Sequence, residues 1–107
     1  MHAESFALHA PAPGQELVLR GRLDVHAAAD VRLALAEALG TGAGDLVLDL
    51  AGLEAVDATG LGVLVGAHRQ AGRSGRTLVL RNASPAAVRL LRRTRLDRVL
   101  RQIRSAA

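Results

Sequence analysis

The chain has 107 residues and no cysteine, and half of its residues are hydrophobic although Phe6 is the only aromatic one. Its length fits a single domain, and the lack of cysteine excludes disulfides, cysteine-based metal sites and thiol redox chemistry. No apolar run approaches the roughly 18–20 residues that a membrane span needs, and the first residues lack a signal-peptide pattern, so a cytoplasmic protein is expected.

The formal net charge of +4 is unevenly distributed. Residues 1–59 carry a net charge of −6 and residues 60–107 one of +10, and all fourteen basic residues are arginine. A basic half can bind nucleic acid or an anionic membrane. Solvated helix faces explain the arginines more simply, and the chain has no aromatic platform on which unpaired bases could stack.

The N-terminal part begins with two strand-like stretches. Residues 5–8 (SFAL) and 16–21 (ELVLRG) have the composition of strands, and the Pro- and Gly-containing segment 11–14 predicts a turn between them. Two strands joined by so short a turn form an antiparallel hairpin. Apolar residues at helical spacing then predict a helix over 24–39, which Gly40 would end.

Strands and helices alternate through the rest of the chain. Residues 45–50 and 76–80 are predicted strands, whose apolar centres suit burial on both faces of a sheet. Residues 60–71 form a second predicted helix, and the Ser-Pro pair at 84–85 opens a third as N-cap and first helical residue. The tail over 96–103 is compatible with a short edge strand or with a final helix.

This order of elements indicates an α/β fold with a small mixed sheet. The N-terminal hairpin is antiparallel, and the later strands are parallel and joined by right-handed helical crossovers. No linker or repeat interrupts the chain, so residues 1–107 are predicted to form one domain. The predicted core stripe of the second helix is Leu61, Leu64, Val65 and His68.

The most informative segment is 46–66, which reads LVLDLAGLEAVDATGLGVLVG. It resembles STAS domains, and among them the bacterial anti-sigma factor antagonists. In that family a strand ending in Asp-Leu is followed by a short loop and by Asp-Ser-Ser/Thr-Gly-Leu-Gly at the start of a helix. Here the strand ends in Asp49 and Leu50, and residues 57–62 read DATGLG.

Three further stretches strengthen the resemblance. Residues 21–25 (GRLDV) are similar to the family's Gly-x-Leu-Asp turn before the first helix. Residues 84–89 (SPAAVR) and 94–97 (TRLD) are similar to its Ser-Pro helix and to the Thr-Gly-Leu-Asp segment that follows. Together the motifs span nearly the whole chain in the family's order, which implies a STAS-like fold.

The resemblance also implies a function. In these antagonists the first Ser of the Asp-Ser-Ser/Thr-Gly motif is phosphorylated by an anti-sigma factor, which is an ATP-binding serine kinase. The unmodified antagonist binds that kinase and frees a sigma factor, and phosphorylation breaks the complex. The chain is therefore expected to be a binding protein and not an enzyme, with no cofactor of its own.

The chain departs from the motif at the acceptor position, where Ala58 has no hydroxyl. Three interpretations remain open: constitutive binding without a phosphoswitch, phosphorylation of the neighbouring Thr59, or a scaffolding or sensing role in a stress-signalling complex. A threonine just before a helix is also a common N-cap, which would explain Thr59 by itself. Arg95 replaces a glycine that would end the third helix in the left-handed conformation, so a rearranged helix end is expected.

The resemblance places the partner-binding surface around the first turn of the second helix. We expect Gly60 and Gly62 to admit the partner's backbone, and Leu61 or Val63 to provide apolar contact. Asp24 and Asp57 either face the partner or cap the helices that follow them. The predicted partner-binding residues are Asp24, Asp57, Ala58, Thr59, Gly60, Leu61, Gly62, Val63, Leu64 and Asn82.

No pattern for catalysis or metal binding accompanies this motif. The serines lack a Gly-x-Ser-x-Gly elbow, the four histidines lack ligand spacing, and the close glycines lack a phosphate-loop fingerprint. The rival function is binding of nucleic acid or another anionic surface, which would weaken steeply with salt. Its candidate residues are Arg89, Arg92, Arg93, Arg95, Arg98, Arg101 and Arg104. The oligomeric state is left open.

Overall fold

A computed structural model of the chain describes residues 6–104. The elements in this range are β1 (Phe6–Ala12), β2 (Glu16–Leu23), α1 (Ala28–Thr41), β3 (Asp45–Asp49), β4 (Leu53–Val56), α2 (Ala58–Arg73), β5 (Thr77–Arg81), α3 (Pro85–Arg93), a 3-10 turn (Leu96–Arg98) and β6 (Arg101–Ile103). No helix in this range is long and apolar enough to cross a membrane.

The strands form one mixed sheet in the order β1-β2-β3-β5-β6. β1 and β2 are antiparallel, and β2, β3, β5 and β6 run parallel to one another. β4 is parallel to the C-terminal part of β2, beside which it lies. The predicted α/β fold with an N-terminal antiparallel hairpin is therefore confirmed.

The two faces of the sheet differ in burial. Leucines on one face are buried in a single cluster with Val31 and Leu35 of α1 and Leu64 of α2. These leucines are Leu17, Leu19, Leu46, Leu48, Leu78 and Leu80. On the other face Val47 and Asp49 are only half-buried, so β3 is not covered on both sides as expected. The helices of this cluster therefore lie against the first face. Val79 of β5 is nevertheless buried on the second face, so the predicted burial on both sides holds for β5 and not for β3.

Several element boundaries differ from the prediction. α1 begins at Ala28 because residues 24–27 form a turn, and it passes Gly40 to end at Thr41. α2 begins at Ala58, two residues earlier than expected. The first strand begins at Phe6, the first described residue, since Ser5 lies outside the described range.

β4 was not predicted, because a four-residue strand containing one charged residue has too short an alternation to recognise. The tail combines the two alternatives that the sequence left open, since a short helical turn is followed by an edge strand. Ser84 is the N-cap of α3 as predicted, and its Oγ accepts a hydrogen bond from the Ala87 N–H at 3.3 Å.

Arg76 is buried and ties three segments together. Its Nε donates to the Gly44 carbonyl at 2.9 Å, and its Nη1 donates to the carbonyls of Ala38 at 2.9 Å and Leu39 at 3.0 Å. Its Nη2 donates to the Gly14 carbonyl in the β1–β2 turn. The last turn of α1 contains no basic residue, so Arg76 supplies the donor and the positive charge that a helix C-terminus favours.

Arg95 adopts the left-handed conformation that its family counterpart glycine would adopt. Its φ is 62° and its ψ is 15°, directly after the C-cap Thr94 of α3. The expectation that the loss of glycine rearranges this helix end is therefore wrong. The helix ends in the usual way, at the steric cost that a side chain carries in this region.

Candidate partner-binding site

The candidate site lies where β2 and β4 end side by side. Leu23 and Val56 are partners in the sheet register, so the residues that follow them, Asp24 and Asp57, emerge at the same edge. The Asp57 N–H donates to the Leu23 carbonyl at 3.2 Å, which holds the two strand ends together. The sequence prediction that these two carboxylates belong to one region of the surface agrees with this geometry.

Asp57 is the N-cap of α2. Its Oδ1 accepts a hydrogen bond from the Gly60 N–H at 2.8 Å, which satisfies one of the free N–H groups at a helix start. Thr59 is already the second residue of the helix and its side chain is exposed, so its expected role as N-cap is wrong.

Asp24 organises the turn before α1. Its Oδ1 accepts hydrogen bonds from the N–H groups of His26 at 3.0 Å and Ala27 at 3.3 Å, and its Oδ2 lies 3.6 Å from the Arg22 Nε. Partial desolvation by itself would raise the pKa of Asp24. The two backbone N–H groups and the positive charges of His26 and Arg22 outweigh it and hold the pKa below its ordinary value of 3.8.

Packing within this chain requires a glycine at position 60. A Cβ at this position would lie 2.2 Å from the Leu23 carbonyl oxygen and 2.8 Å from the Val56 Cγ2. Gly60 is buried, so its small size brings α2 close to the end of β2. We expected it to admit a partner's backbone, and the space that it leaves is filled by this chain.

The apolar residues of the motif point into the core. Leu61, Val63 and Leu64 are all buried in the cluster beneath α1 and α2, so their side chains position the helix and are not available for contact with a partner. Val65 and His68, expected in the same stripe, are half-buried. Ala67 and Ala71 complete the buried side of α2.

The exposed residues in the first turns of α2 have small side chains or none. Ala58, Thr59 and Gly62 are exposed, and a Cβ added to Gly62 would meet open space. Val25, in the adjoining turn, is 61% exposed. Sequence reasoning missed Val25, although a β-branched apolar residue in a turn is the signal that could have identified it.

Asn82 belongs to a different polar cluster at the ends of β3 and β5. Its Nδ2 lies 3.5 Å from the Asp49 Oδ2, which also accepts a hydrogen bond from the Arg81 Nε at 2.9 Å. Arg81 additionally pairs with Glu16. Asp49 Oδ1 accepts from the Ala51 N–H at 2.9 Å, the loop contact expected for a carboxylate that ends a strand.

The start of α2 can accommodate negative charge. The N–H groups of the first helical residues have no acceptor within the helix, and the helix dipole is positive at this end. Of these groups, the Asp57 side chain accepts a hydrogen bond from the Gly60 N–H only. Within residues 6–104, no three His, Cys, Asp or Glu side chains are grouped so that they could hold a metal ion.

The seven arginines considered for binding an anionic surface form no ion pair within the described range. All seven are exposed, and the ion pairs of this range involve only Arg22 and Arg81. These seven are Arg89, Arg92, Arg93, Arg95, Arg98, Arg101 and Arg104. Their charge is therefore available to solvent or to an anionic partner.

Comparisons with known proteins agree with this architecture. The family model described as "Mlab, STAS domain" matches residues 7–102. The anti-sigma factor antagonist SpoIIAA of Bacillus in its unphosphorylated form is 24% identical, with 94% of this chain and 88% of that chain covered and a TM-score of 0.72. An anti-sigma factor antagonist from Mycobacterium paratuberculosis is 22% identical, with coverages of 91% and 82% and a TM-score of 0.72.

A sulfate transporter family protein from Wolinella succinogenes has the same fold. It is 19% identical to this chain, of which 84% is covered, while 73% of that chain is covered and the TM-score is 0.72. At these identities the three structures show a shared fold. The architecture thus occurs both in antagonists of anti-sigma factors and in a protein of a transporter family.

Proposed function

This chain belongs to the STAS domain family, and from that membership we propose that it is an anti-sigma factor antagonist. It binds an anti-sigma factor of the ATP-binding serine kinase type and thereby frees a sigma factor, and it acts by binding rather than by catalysis. The fold that it shares with two anti-sigma factor antagonists supports this role. We propose that residues 1–107 form a single STAS domain.

The observation that carries the proposal is the composition of the first turns of α2. Ala58, Thr59 and Gly62 form an exposed surface without bulky side chains, beside the exposed Val25. Such a surface allows the backbone of another protein to approach closely, and Val25 adds apolar area at its edge. The intervening apolar residues are buried and hold the helix in place, which would limit the entropy that this surface loses on association.

We propose that binding does not depend on phosphorylation, because Ala58 stands at the acceptor position. A phosphate here would add nearly two negative charges next to Asp57 and at the strand edge that also carries Asp24. Like charges brought together in an interface cost several kcal/mol, and each 1.4 kcal/mol is about tenfold in affinity. Without a hydroxyl at position 58, the complex would persist in the presence of ATP.

Thr59 supports a second form of the same function. Its side chain is exposed at the second position of α2, where the helix dipole tolerates negative charge. A kinase that reached this hydroxyl would restore the switch one residue away from the usual site. The two forms predict different masses for the recovered protein.

The deciding experiment is a pull-down with the tagged chain from its native cells, followed by intact-mass measurement of the bait. A kinase-type anti-sigma factor recovered with unmodified bait is the expected result. One added phosphoryl group that is absent from a Thr59→Val bait would assign the switch to Thr59. Recovery of no anti-sigma factor would refute the antagonist role.

Gly62→Arg tests the binding surface with a matched control. Gly62 and Gly72 are both exposed in α2, and an added Cβ would meet nothing within 4 Å at either. Both arginine variants should therefore fold and gain up to about 1 kcal/mol of helix stability. Only Gly62→Arg should lose the anti-sigma factor, by at least about tenfold. Equal affinity of the two variants would place the interface elsewhere.

Ala58→Ser tests whether the missing hydroxyl is the cause of constitutive binding. The variant should bind the same anti-sigma factor without ATP and should release it, with one added phosphoryl group, when ATP is supplied. The unmodified chain treated in the same way should stay bound. Release of both proteins by ATP would contradict a role for Ala58.

A further inference from the structure

A cleft of about 250 Å³ separates β4 from α3. Its apolar part comes from Ala55 and Val56 of β4 and from Ala86 and Leu90 of α3. Val56 directly precedes Asp57, so the cleft adjoins the candidate partner-binding site. It therefore lies beside the carboxyl end of β4, and the carboxyl ends of parallel strands are where α/β sheets usually bind ligands.

Two arginines provide the charge of this cleft. Arg89 and Arg93 lie one helical turn apart on α3, and both line it. Both are exposed, and neither forms an ion pair with another residue of the range 6–104. Two guanidinium groups at this spacing, beside the apolar residues of the cleft, fit a ligand that carries carboxylates next to apolar groups.

The cleft lies between a strand and a helix that contact each other. In the described part of the chain β4 pairs with β2 alone, and α3 contacts β4. Because α3 packs against β4, a bound segment would be held by the side chains that line the cleft and not by main-chain pairing with β4.

We propose that the β4–α3 cleft binds a short acidic and apolar segment of the protein partner. Carboxylates of that segment would pair with Arg89 and Arg93, and its apolar side chains would cover Val56 and Leu90. The inference rests on the proposed function, because one partner can reach the cleft and the start of α2 together. Beyond the proposed function, the inference states the chemistry of the partner segment that binds here.

Glu54 argues for a peptide rather than nucleic acid. Its carboxylate lines the same cleft and would repel the evenly spaced charges of a phosphate backbone, whereas a peptide can place an apolar or basic residue there. Phe6 is the only aromatic residue of the chain, so bases would find no stacking surface in the cleft. The arginines here therefore suit individual carboxylates better than a polyanion.

The test is a ¹⁵N NMR titration of the whole chain with the capped peptide acetyl-ELDLEL-amide. Saturable shifts confined to the amides of residues 53–57 and 86–93 are the expected result. The double variant Arg89→Gln/Arg93→Gln should weaken this binding at least about fivefold. The control Arg69→Gln/Arg73→Gln removes two exposed arginines at the same spacing from α2, outside the cleft, and should leave the affinity unchanged.

Two further outcomes would overturn the proposal. Equal weakening by both double variants would show nonspecific attraction to the basic half of the chain. Tighter binding of a hexathymidylate than of the peptide at the same amides would assign the cleft to nucleic acid. Since no anti-sigma factor is present, the titration can succeed or fail independently of the antagonist role.

Discussion

Backbone groups at two helix ends of this molecule are hydrogen-bonded in opposite ways, one by a distant side chain and the other by a neighbouring one. At the carboxyl end of α1 the buried Arg76 donates four hydrogen bonds to backbone carbonyls, across sequence separations of 32 to 62 residues. At the amino end of α2 Asp57 accepts one hydrogen bond from a residue three positions away. Ala58 and Thr59 there face the solvent.

The contrast separates stabilisation from binding. The donors of Arg76 are used within the protein, so this helix end contributes to folding and presents nothing to a partner. The start of α2 has a single local cap, and its outer residues stay exposed where we propose that the partner binds. We expect substitutions at the first end to affect mainly stability, and substitutions on the exposed side of the second to affect mainly binding.

Arg76→Met should give the largest loss of stability. It leaves the carbonyls of Gly14, Ala38 and Leu39, all in buried residues, and that of the exposed Gly44 without this donor, so the free energy of unfolding should fall by about 3 kcal/mol. Urea denaturation followed by circular dichroism measures this change. Arg73→Met, an exposed site three residues earlier, should stay within about 0.5 kcal/mol of the parent, and equal losses would break the contrast.

Gly60→Ala should be the most damaging change at the start of α2. The new methyl group would overlap the Leu23 carbonyl, and the resulting displacement of the helix should cost about 1–3 kcal/mol. Gly66→Ala, on the exposed side of the same helix, should instead stabilise the protein by up to about 1 kcal/mol. If both substitutions stabilised it in thermal unfolding, the close approach of α2 to β2 would be wrong.

Asp57→Ala should have a smaller effect, because it removes one cap. We expect the free energy of unfolding to fall by about 1 kcal/mol. Asp57→Asn keeps an oxygen that can accept from the Gly60 N–H, so it should retain most of this stability in the same denaturation experiment. A loss with Asn as large as that with Ala would show that the charge, and not the cap, matters.

Asp24 should give the smallest effect, visible mainly as a dependence on pH. Because its pKa is lower in the folded than in the unfolded protein, the ionised carboxylate stabilises the fold above about pH 4 and loses this contribution as the pH falls through the folded pKa. Asp24→Asn should therefore unfold at a lower temperature than the parent at neutral pH, and the difference should shrink in acid. Asp45→Asn, at an exposed site, is the control; an acid-independent difference for Asp24→Asn would contradict the charge effect.

Local patterns in the sequence were enough for most of the architecture. The Ser-Pro pair correctly marked the start of α3, since an N-cap acts over three residues. The alternative capping role was correct for Asp57, which accepts from the Gly60 N–H. It was wrong for Asp24, which binds the turn at His26 and Ala27 while α1 begins without a side-chain cap. β4 was not predicted, because four residues show too little alternation of polar and apolar side chains to identify a strand.

The sequence motif predicted which segment holds the candidate site, but not which of its residues are buried and which are exposed. The motif indicated the first turn of α2, yet it could not separate the buried Leu61 and Val63 from the exposed Ala58, Thr59 and Gly62. A helix start carries both inward and outward residues, and the division depends on where the sheet lies. Gly60 illustrates the same point, because the group that requires its small size is the Leu23 carbonyl on another element.

By itself the sequence determined the fold class, the antiparallel hairpin and the family, and it predicted the segment in which we propose the site. These follow from periodicity, turn chemistry and motifs that act over a few neighbouring residues. Only the tertiary structure decided the anchoring role of Arg76, the pairing of β4 with β2 and the cleft that places Arg89 and Arg93 beside Val56. The physical reason is that these features join residues distant in the chain, whose contacts are set by packing.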